Sequence, residues 1–236
     1  IAAVKSEQGP VSGAYTLTPI QRWFVEASER LPLANPAHWN QSLLLAVPGS
    51  IDAQQFKQAV AELAAHHDAL RSRFYTDEQG EWQAEILPPG PMPRVETIDL
   101  SHLPASEQQP ALAAACTALQ QSFDLSNPPL LSAGLFWLGE AQGSRIFMAA
   151  HHLVVDTVSW RILVEDLFTL LEGKSLPPKT TSYRQWSQAM QELAGSSEIR
   201  SELGRWLEAE ALPQPVLPGS TGQPNLERDT AQLSAE

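Results

Sequence analysis

One stretch near the middle of the chain constrains the fold more than any other. Residues 145–150 are a short apolar run that predicts a buried β-strand. The run leads into His151 and His152, and Asp156 follows four residues after the second histidine. Beyond the aspartate, apolar side chains recur at helical spacing and predict one buried stripe of a helix. That stripe comprises Val158, Ile162, Leu163, Leu167, Leu170 and Leu171.

This layout places His152 in a strand-to-helix connection, where a rigid scaffold can present a side chain into a cleft. Metal binding by His151, His152 and Asp156 is a weaker interpretation, because the sequence offers no second ligand cluster nearby. A Ser-His-Asp hydrolase that uses Ser159 is weaker still, since no G-x-S-x-G elbow exists and this serine falls inside the predicted helix. The layout is therefore typical of a catalytic site.

Helices and strands are interspersed along the rest of the chain. Residues 18–21 combine a Thr cap, a Pro and a Gln at capping-box spacing, which predicts a helix that runs to about Arg30. Asp52 is the predicted cap of a second helix. Further strands are predicted at 42–47, 82–86, 95–100, 131–138 and 144–150, and further helices at 104–121, 183–193 and 198–212. Because the strands include hairpin pairs, we expect an α+β layer fold and not a regular parallel βαβ series.

A second polar group, His66-His67-Asp68, closes the helix that Asp52 begins. Such a triplet at a helix end is usually a cap or a solvated surface, so we do not predict a second catalytic site here. Arg71 and Arg73 are expected to support the fold. Cys116, the single cysteine, lies in an alanine-rich helical run and is predicted to be a small buried thiol, not a nucleophile.

Composition excludes several classes of function. The 236 residues carry 15 Lys and Arg against 27 Asp and Glu, a net charge of −12, and no basic cluster. Binding to nucleic acid or to an anionic membrane is therefore not expected. One cysteine rules out an intrachain disulfide framework, and the sequence shows neither a long apolar span nor a signal pattern. These features lead us to expect a cytoplasmic protein. We also expect a globular fold, since 43% hydrophobic residues can build a substantial core.

Several segments together resemble one known family. The stretch from His151 to Asp156 is similar to the HHxxxD signature of the condensation-domain superfamily of nonribosomal peptide synthetases. Its continuation through Ser159 and Trp160 looks like the epimerization branch, and residues 19–24, Pro-Ile-Gln-Arg-Trp-Phe, resemble the first motif of that branch. Residues 67–71, 129–130, 183–186 and 233–236 also look like family segments. One departure is Thr157, where this superfamily usually has Gly.

The resemblance implies a chloramphenicol-acetyltransferase-like fold, in which each of two lobes is a two-layer α/β sandwich with a mostly antiparallel or mixed sheet and flanking helices. Residues 15–176 would form the N-terminal lobe and residues 177–212 the inter-lobe helices. Residues 213–236, rich in Pro, Gly, Ser and Thr, would be an irregular segment that opens the second lobe, which this chain does not contain. Residues 1–14 are predicted to be a linker from an upstream carrier region.

The resemblance also implies a reaction and a site. Epimerising an aminoacyl or peptidyl thioester requires a base and an acid on opposite faces of Cα, and we predict His152 as the catalytic residue. The second group would be a glutamate of the absent lobe, so this chain alone should be inactive. His151 is predicted to be structural, and Asp156 to pair with an arginine of the other lobe, to cap the helix, or both. Ser159 and Trp160 could line the channel, although a Trp at this place is often core.

No directly bound cofactor or metal is expected. The substrate would arrive on the phosphopantetheine of an upstream peptidyl carrier protein, and adjacent synthetase domains and the chain's own C-terminal lobe are the other expected partners, in antibiotic-type biosynthesis. Two alternatives stay open at this point. The lobe could belong to a condensation domain that forms the peptide bond with the same histidine, or it could be a noncatalytic module that docks carrier proteins. The sequence does not reveal which amino acid is epimerised.

Overall fold

Seven strands and six α-helices lie within residues 6–30 and 35–211, the parts of the chain that the computed structural model describes. The strands are β1 (Gly13–Tyr15), β2 (Asn40–Val47), β3 (Ser72–Thr76), β4 (Trp82–Ile86), β5 (Arg94–Asp99), β6 (Leu131–Trp137) and β7 (Ser144–His151). The helices are α1 (Pro19–Arg30), α2 (Ala53–His66), α3 (Ala105–Gln120), α4 (Thr157–Leu171), α5 (Tyr183–Ala194) and α6 (Ser197–Glu210). Two 3₁₀ turns, Pro36–His38 and Asp68–Arg71, complete the described elements.

The strands form two sheets. The smaller sheet has the order β1-β4-β3 and is antiparallel throughout. The larger has the order β2-β7-β6-β5, in which β5 and β6 are parallel and the other pairs antiparallel. Helix α3 connects the one parallel pair, as a crossover must. The predicted α+β fold with a mixed sheet is confirmed.

Both faces of the larger sheet are covered, because its central strands alternate between two cores. Ile146, Met148 and Ala150 of β7 face the cluster built with α2 and α4. Phe147 and Ala149 face the opposite cluster, which includes residues of α1, α3 and the smaller sheet. A strand that is apolar on both sides is the expected sequence of a doubly covered sheet, and this explains the continuous apolar run ahead of the histidines.

Both predicted helix starts are confirmed. At α1, the side-chain Oε1 of Gln21 accepts a hydrogen bond from the backbone N–H of Thr18 at 3.2 Å, which is one half of a capping box. At α2, the carboxylate of Asp52 accepts from the N–H of Gln55 at 2.7 Å. No helix of the described residues is both long and apolar enough to cross a membrane.

The predicted buried stripe of α4 is wrong at its start. Val158 and Ile162 are 68% and 48% exposed. The buried face instead carries Trp160, Leu163, Asp166 and Leu167. The buried face thus differs from the apolar pattern, and it includes the polar residue Asp166, whose carboxylate forms a hydrogen bond with His67. A pattern that assumes polar side chains outside cannot detect this arrangement.

A buried guanidinium connects several parts of the fold. Arg71 is 2% exposed, and its Nη2 donates to the Asp68 carboxylate at 2.6 Å. Its remaining bonds go to the backbone carbonyls of Val11, Ala64, Ala65 and Leu87. This side chain therefore holds the end of α2, the end of the smaller sheet's hairpin and the N-terminal segment together, which agrees with its predicted supporting role.

Asp68 completes this network. Its carboxylate also accepts from the backbone N–H of Val11 at 3.1 Å and from Lys179 Nζ at 2.9 Å. The described part of the predicted linker 1–14 consequently lies against the fold, with Val11 3% exposed and Gly13 paired in β1.

The chain divides into two compact units, Ile1–Glu192 and Leu193–Glu236. The predicted irregular segment 213–236 lies outside the described residues.

We expect Arg71→Met to lower the free energy of unfolding by about 3–5 kcal/mol, because it leaves Asp68 buried without its guanidinium partner. Arg73→Met is the matched control, since Arg73 is 38% exposed in its side chain, pairs with Glu85 and stacks on the ring of Tyr75 at 4.6 Å. A half-exposed pair contributes about 1 kcal/mol or less. Denaturant unfolding of the two variants measures the difference, and equal losses would contradict the role given to Arg71.

Candidate active site

The histidine pair lies where β7 leaves the sheet. The backbone N–H of His151 donates to the carbonyl of Leu130 at 3.1 Å, and that of His152 donates to the carbonyl of Trp39 at 2.9 Å. Helix α4 starts five residues later, at Thr157. The turn between strand and helix is therefore fixed from both sides by backbone hydrogen bonds, as the sequence predicted for a rigid strand-to-helix connection.

His151 is buried and bonded through both ring nitrogens. Its Nε2 donates to the carbonyl of Pro36 at 2.9 Å, and its Nδ1 accepts from the N–H of Leu153 at 3.2 Å. The rings of Phe24 and Phe123 approach it edge-on, with centroids 5.7 and 6.4 Å away. Burial lowers the pKa of His151 to about 4, so this imidazole stays neutral near pH 7. The environment suits the predicted supporting role and leaves no nitrogen for a substrate.

His152, by contrast, is exposed. Its Nδ1 donates to the carbonyl of Val155 at 2.9 Å, and its Nε2 lies 3.2 Å from the side-chain nitrogen of Gln41. The ring borders a groove of about 480 Å³ whose apolar wall includes Ile20, Trp23 and Trp39. These three side chains are 67%, 58% and 44% exposed, which is unusual for residues of this size. A titratable imidazole beside an apolar groove is the arrangement expected of a catalytic pocket.

Helix α1 reaches this groove through Gln21. The side chain is 1% exposed, and its Nε2 donates to the carbonyl of Leu153 at 3.0 Å, in the turn that follows the two histidines. The same amide caps the helix through its oxygen. The two sequence segments that carry the family resemblance, residues 19–24 and the histidine motif, are therefore in contact.

Asp156 caps α4. Its Oδ1 accepts hydrogen bonds from the backbone N–H and the hydroxyl of Ser159, each at 2.7 Å. The Ser159 N–H, followed by the hydroxyl, holds the pKa of this carboxyl below its usual range. The predicted helix cap is confirmed, whereas the predicted ion pair with another lobe stays a prediction. Thr157 begins the helix, and no described residue other than glycine has a positive φ, so Thr in place of the usual Gly adds no backbone strain here.

Trp160 points inward, as the core interpretation predicted. It is 7% exposed, and its indole N–H donates to Oε1 of Gln41 at 3.0 Å. Ser159 lies on the groove side of the same turn. The sequence had left both residues as possible channel walls, and the structure places only Ser159 along the groove.

The second polar group ends α2 as predicted, with His67 at the C-cap, and its side chains make further contacts. His67 Nε2 bonds with Asp166 Oδ2 at 2.7 Å, and burial lowers the pKa of His67. The ring of His66 contacts that of His67 at 5.0 Å, and ligand-type atoms of these two histidines and Asp166 lie within 4.8 Å of one another. Lys179 places an ammonium beside this cluster, which opposes the binding of a cation.

Cys116 is half-buried, and burial raises the pKa of its thiol to about 11. A protonated thiol is a poor nucleophile, in agreement with the sequence prediction.

Sequence reasoning missed two residues of the site, Gln41 and Trp39. Trp39 directly precedes β2 and Gln41 is the second residue of that strand, both more than 100 positions before His152, and they reach it because β2 pairs with β7. Neither residue type carries a recognisable catalytic pattern. Only knowledge of the strand register could have identified them, since a register shift of one residue would turn Gln41 to the other face of the sheet.

Residues 11–235 match the family described as the condensation domain. The chain is 42% identical to the chondramide synthase of Chondromyces crocatus over 229 residues, and 42% identical to a linear gramicidin synthase protein of Brevibacillus parabrevis over 224 residues. Each alignment covers 92% of this chain but only 6% and 4% of the respective synthase. The chain therefore belongs to the condensation-domain family of nonribosomal peptide synthetases.

Two solved structures share the fold of this chain. The epimerization domain from the third module of tyrocidine synthetase B superposes with a TM-score of 0.80 at 31% identity, over 91% of this chain and 47% of that one. The first condensation domain of the calcium-dependent antibiotic synthetase superposes with a TM-score of 0.69 at 24% identity, over 86% of this chain and 49% of that one. The chain thus spans about half the length of the solved domains it matches.

The buried His151 should make stability depend on pH. Its pKa is about 4 in the folded chain against 6.5 in an exposed imidazole, so the unfolded chain binds a proton first as the pH falls. The free energy of unfolding should therefore decrease from pH 6.5 to pH 4, by on the order of 3 kcal/mol. His151→Gln keeps a donor but does not titrate, so the stability difference between wild type and this variant should narrow as the pH falls through that window.

The matched control is His102→Gln, at an exposed histidine. Its difference from wild type measures the effect of removing an exposed imidazole over the same range. Chemical denaturation at closely spaced pH values provides the measurement, and a difference for His151→Gln that does not vary with pH would contradict the burial argument.

Proposed function

We propose that this chain is the N-terminal half of an epimerization domain of a nonribosomal peptide synthetase. Its reaction would invert the Cα of an L-aminoacyl or peptidyl thioester that a carrier protein presents on phosphopantetheine. The observation that carries the proposal is the meeting of two segments at one groove. Residues 19–24 and the extended motif from His151 to Trp160, both of which resemble the epimerization branch, contact each other through Gln21 and border the groove at His152.

Similarity to solved domains supports epimerization over condensation. Identity with the tyrocidine epimerization domain is 31%, against 24% with the condensation domain of the calcium-dependent antibiotic synthetase. The TM-scores, 0.80 and 0.69, follow the same order. We therefore favour removal and return of a proton on Cα over attack of an acceptor amine.

The geometry of His152 suits proton removal. With Nδ1–H donated to the carbonyl of Val155, the neutral imidazole carries its lone pair on Nε2, at the groove. A proton on the carbon next to a thioester carbonyl is acidified by that carbonyl, so a positioned imidazole can remove it if the enolate oxygen is stabilised. A base of this kind typically contributes about 10²–10⁴-fold to the rate.

The return of the proton to the opposite face needs a second group. We propose that a glutamate of a C-terminal lobe supplies it, with residues 15–176 as the N-terminal lobe, residues 177–212 as inter-lobe helices and residues 213–236 as the start of that lobe. The upstream carrier protein and adjacent synthetase domains are the proposed partners. On this proposal the 236-residue chain supplies His152 but not the second proton-transfer group. The chain by itself should therefore not epimerise the substrate.

A condensation domain is the second candidate, because a solved condensation domain shares this fold and the sequence resemblance extends to that class through the stretch from His151 to Asp156. One assay distinguishes epimerization from condensation. The synthetase that contains this chain is supplied with a carrier that bears an L-aminoacyl group, and no acceptor is added. Chiral analysis of the released amino acid should show the D-isomer. Complete retention of the L-isomer, with peptide formed once an acceptor carrier is added, would overturn the epimerization proposal.

In the same assay, His152→Ala should lower the rate of D-isomer formation by about 10²–10⁴-fold, because the base is removed. The thermal unfolding midpoint should change little, since the side chain is exposed. His38→Ala is a matched control, at a histidine of the 3₁₀ turn that lies outside the lining of the groove. Unaltered turnover of His152→Ala would eliminate His152 as the proton-transfer residue and favour either a docking role for this lobe or a different catalytic site.

Asp156 allows its two proposed roles to be separated. Asp156→Asn keeps an N-cap acceptor for Ser159 but removes the charge, so stability should change by only about a few tenths of a kcal/mol. Loss of the ion pair with another lobe should nevertheless lower the epimerization rate by about tenfold or more. Asp52→Asn, which alters the cap of α2 in the same way, serves as the control. Full activity of Asp156→Asn would leave helix capping as the only role of this carboxylate.

A further inference from the structure

Gln41 forms a bridge between the core and the proposed base. Its Oε1 accepts the indole N–H of Trp160 at 3.0 Å, and its Nε2 lies 3.2 Å from Nε2 of His152. The amide is half-buried at the start of β2, opposite Ala150 in the register with β7. One side chain of the sheet therefore touches the second ring nitrogen of His152, whose ring borders the groove.

The polarity of this bridge follows from the donors and acceptors alone. An indole nitrogen can only donate, so the amide oxygen of Gln41 must face Trp160 and its NH₂ group must face His152. An amide NH₂ can also only donate, which makes Nε2 of His152 the acceptor. The carbonyl of Val155 can only accept, so Nδ1 carries the proton. Three hydrogen bonds in series thus select one neutral tautomer of the imidazole.

We propose that Gln41 is a positioning residue that keeps the Nε2 of His152 unprotonated and directed into the groove, with Trp160 fixing the orientation of the Gln41 amide. The inference rests on the proposed function, in which Nε2 takes the proton from Cα. In the resting site the Gln41 N–H occupies the lone pair. Substrate binding exchanges this bond for the Cα–H group, and Trp160 holds the amide nearby throughout.

Replacing Gln41 by Glu tests the polarity directly. The indole N–H would bind one carboxylate oxygen, and the other oxygen would accept a proton from His152 Nε2, so the imidazole would be held in its protonated form. An opposite charge at hydrogen-bond distance favours the charged form of a titratable group and shifts its pKa by about 1–3 units. At neutral pH the epimerization rate of Gln41→Glu should therefore fall by about tenfold or more, and it should recover as the pH rises.

Other titratable groups near His152 do not change in this variant. Along the groove these are Asp156 at the start of α4 and Tyr183 on α5, and His151 precedes His152 in the chain. None of them contacts Gln41 through a hydrogen bond in the described structure. A displacement of the pH profile in Gln41→Glu is therefore assigned to the new carboxylate beside Nε2.

The experiment measures the rate of D-isomer formation against pH for the full-length synthetase and its variants. The acid-side midpoint of Gln41→Glu should move upward by about one pH unit or more. Trp160→Phe keeps an aromatic ring in the core but removes the indole N–H that orients the Gln41 amide. The acid-side midpoint of Trp160→Phe should also move upward, by a smaller amount than that of Gln41→Glu. Gln191→Glu is the control for the added charge, because Gln191 is exposed on α5 and bonds only Thr16 there.

Two results would overturn the inference. One is a rate that falls equally at every pH in both Gln41→Glu and Trp160→Phe, which indicates a purely structural role. The other is a profile identical to wild type. Failure of the proposed function looks different, since the wild-type protein would then form no D-isomer at any pH. If it forms peptide bonds instead, the same displacement measured on that rate still tests Gln41, because the same ring nitrogen would act.

Discussion

The site depends on the buried imidazole of His151. Both of its nitrogens are used by backbone groups on either side of it, the carbonyl of Pro36 and the N–H of Leu153, inside an aromatic cage. These bonds end β7 at a fixed place and determine the path of the next residue. His152 is thereby carried out of the core into the groove, so that two adjacent residues of one type have opposite environments. One histidine provides the position and the other is available for chemistry.

The hydrogen bonds of Arg71 fix the position of a second part of the fold. A single guanidinium satisfies carbonyls from three separate parts of the chain and pairs with Asp68, which in turn binds Lys179. This explains why the polar run from His66 to Arg73 looked attractive as a site and is mostly structure. Charged residues that are fully bonded to the protein leave no free donor or acceptor for a substrate.

Much of the fold could be predicted, because the local signals were strong and agreed with the tertiary structure. The apolar run before the histidines, the Asp52 cap and the hairpin of β6 and β7 follow from periodicity and capping alone. The buried face of α4 could not be predicted in full, since it includes Asp166, whose hydrogen-bond partner His67 lies far away in sequence. Gln41 was missed for the same reason: its contact with His152 exists only after β2 has paired with β7.

The central claim is that Nε2 of His152 removes the proton from Cα of a carrier-bound substrate. The most direct measurement is exchange of that hydrogen with solvent. The full-length synthetase, with its carrier loaded with an L-aminoacyl group, is incubated in D₂O without an acceptor, and the recovered amino acid is examined by mass spectrometry. The account predicts deuterium at Cα in the wild-type reaction and its loss when His152 is replaced by Ala. Absence of deuterium in the wild-type product, or equal incorporation without His152, would contradict it.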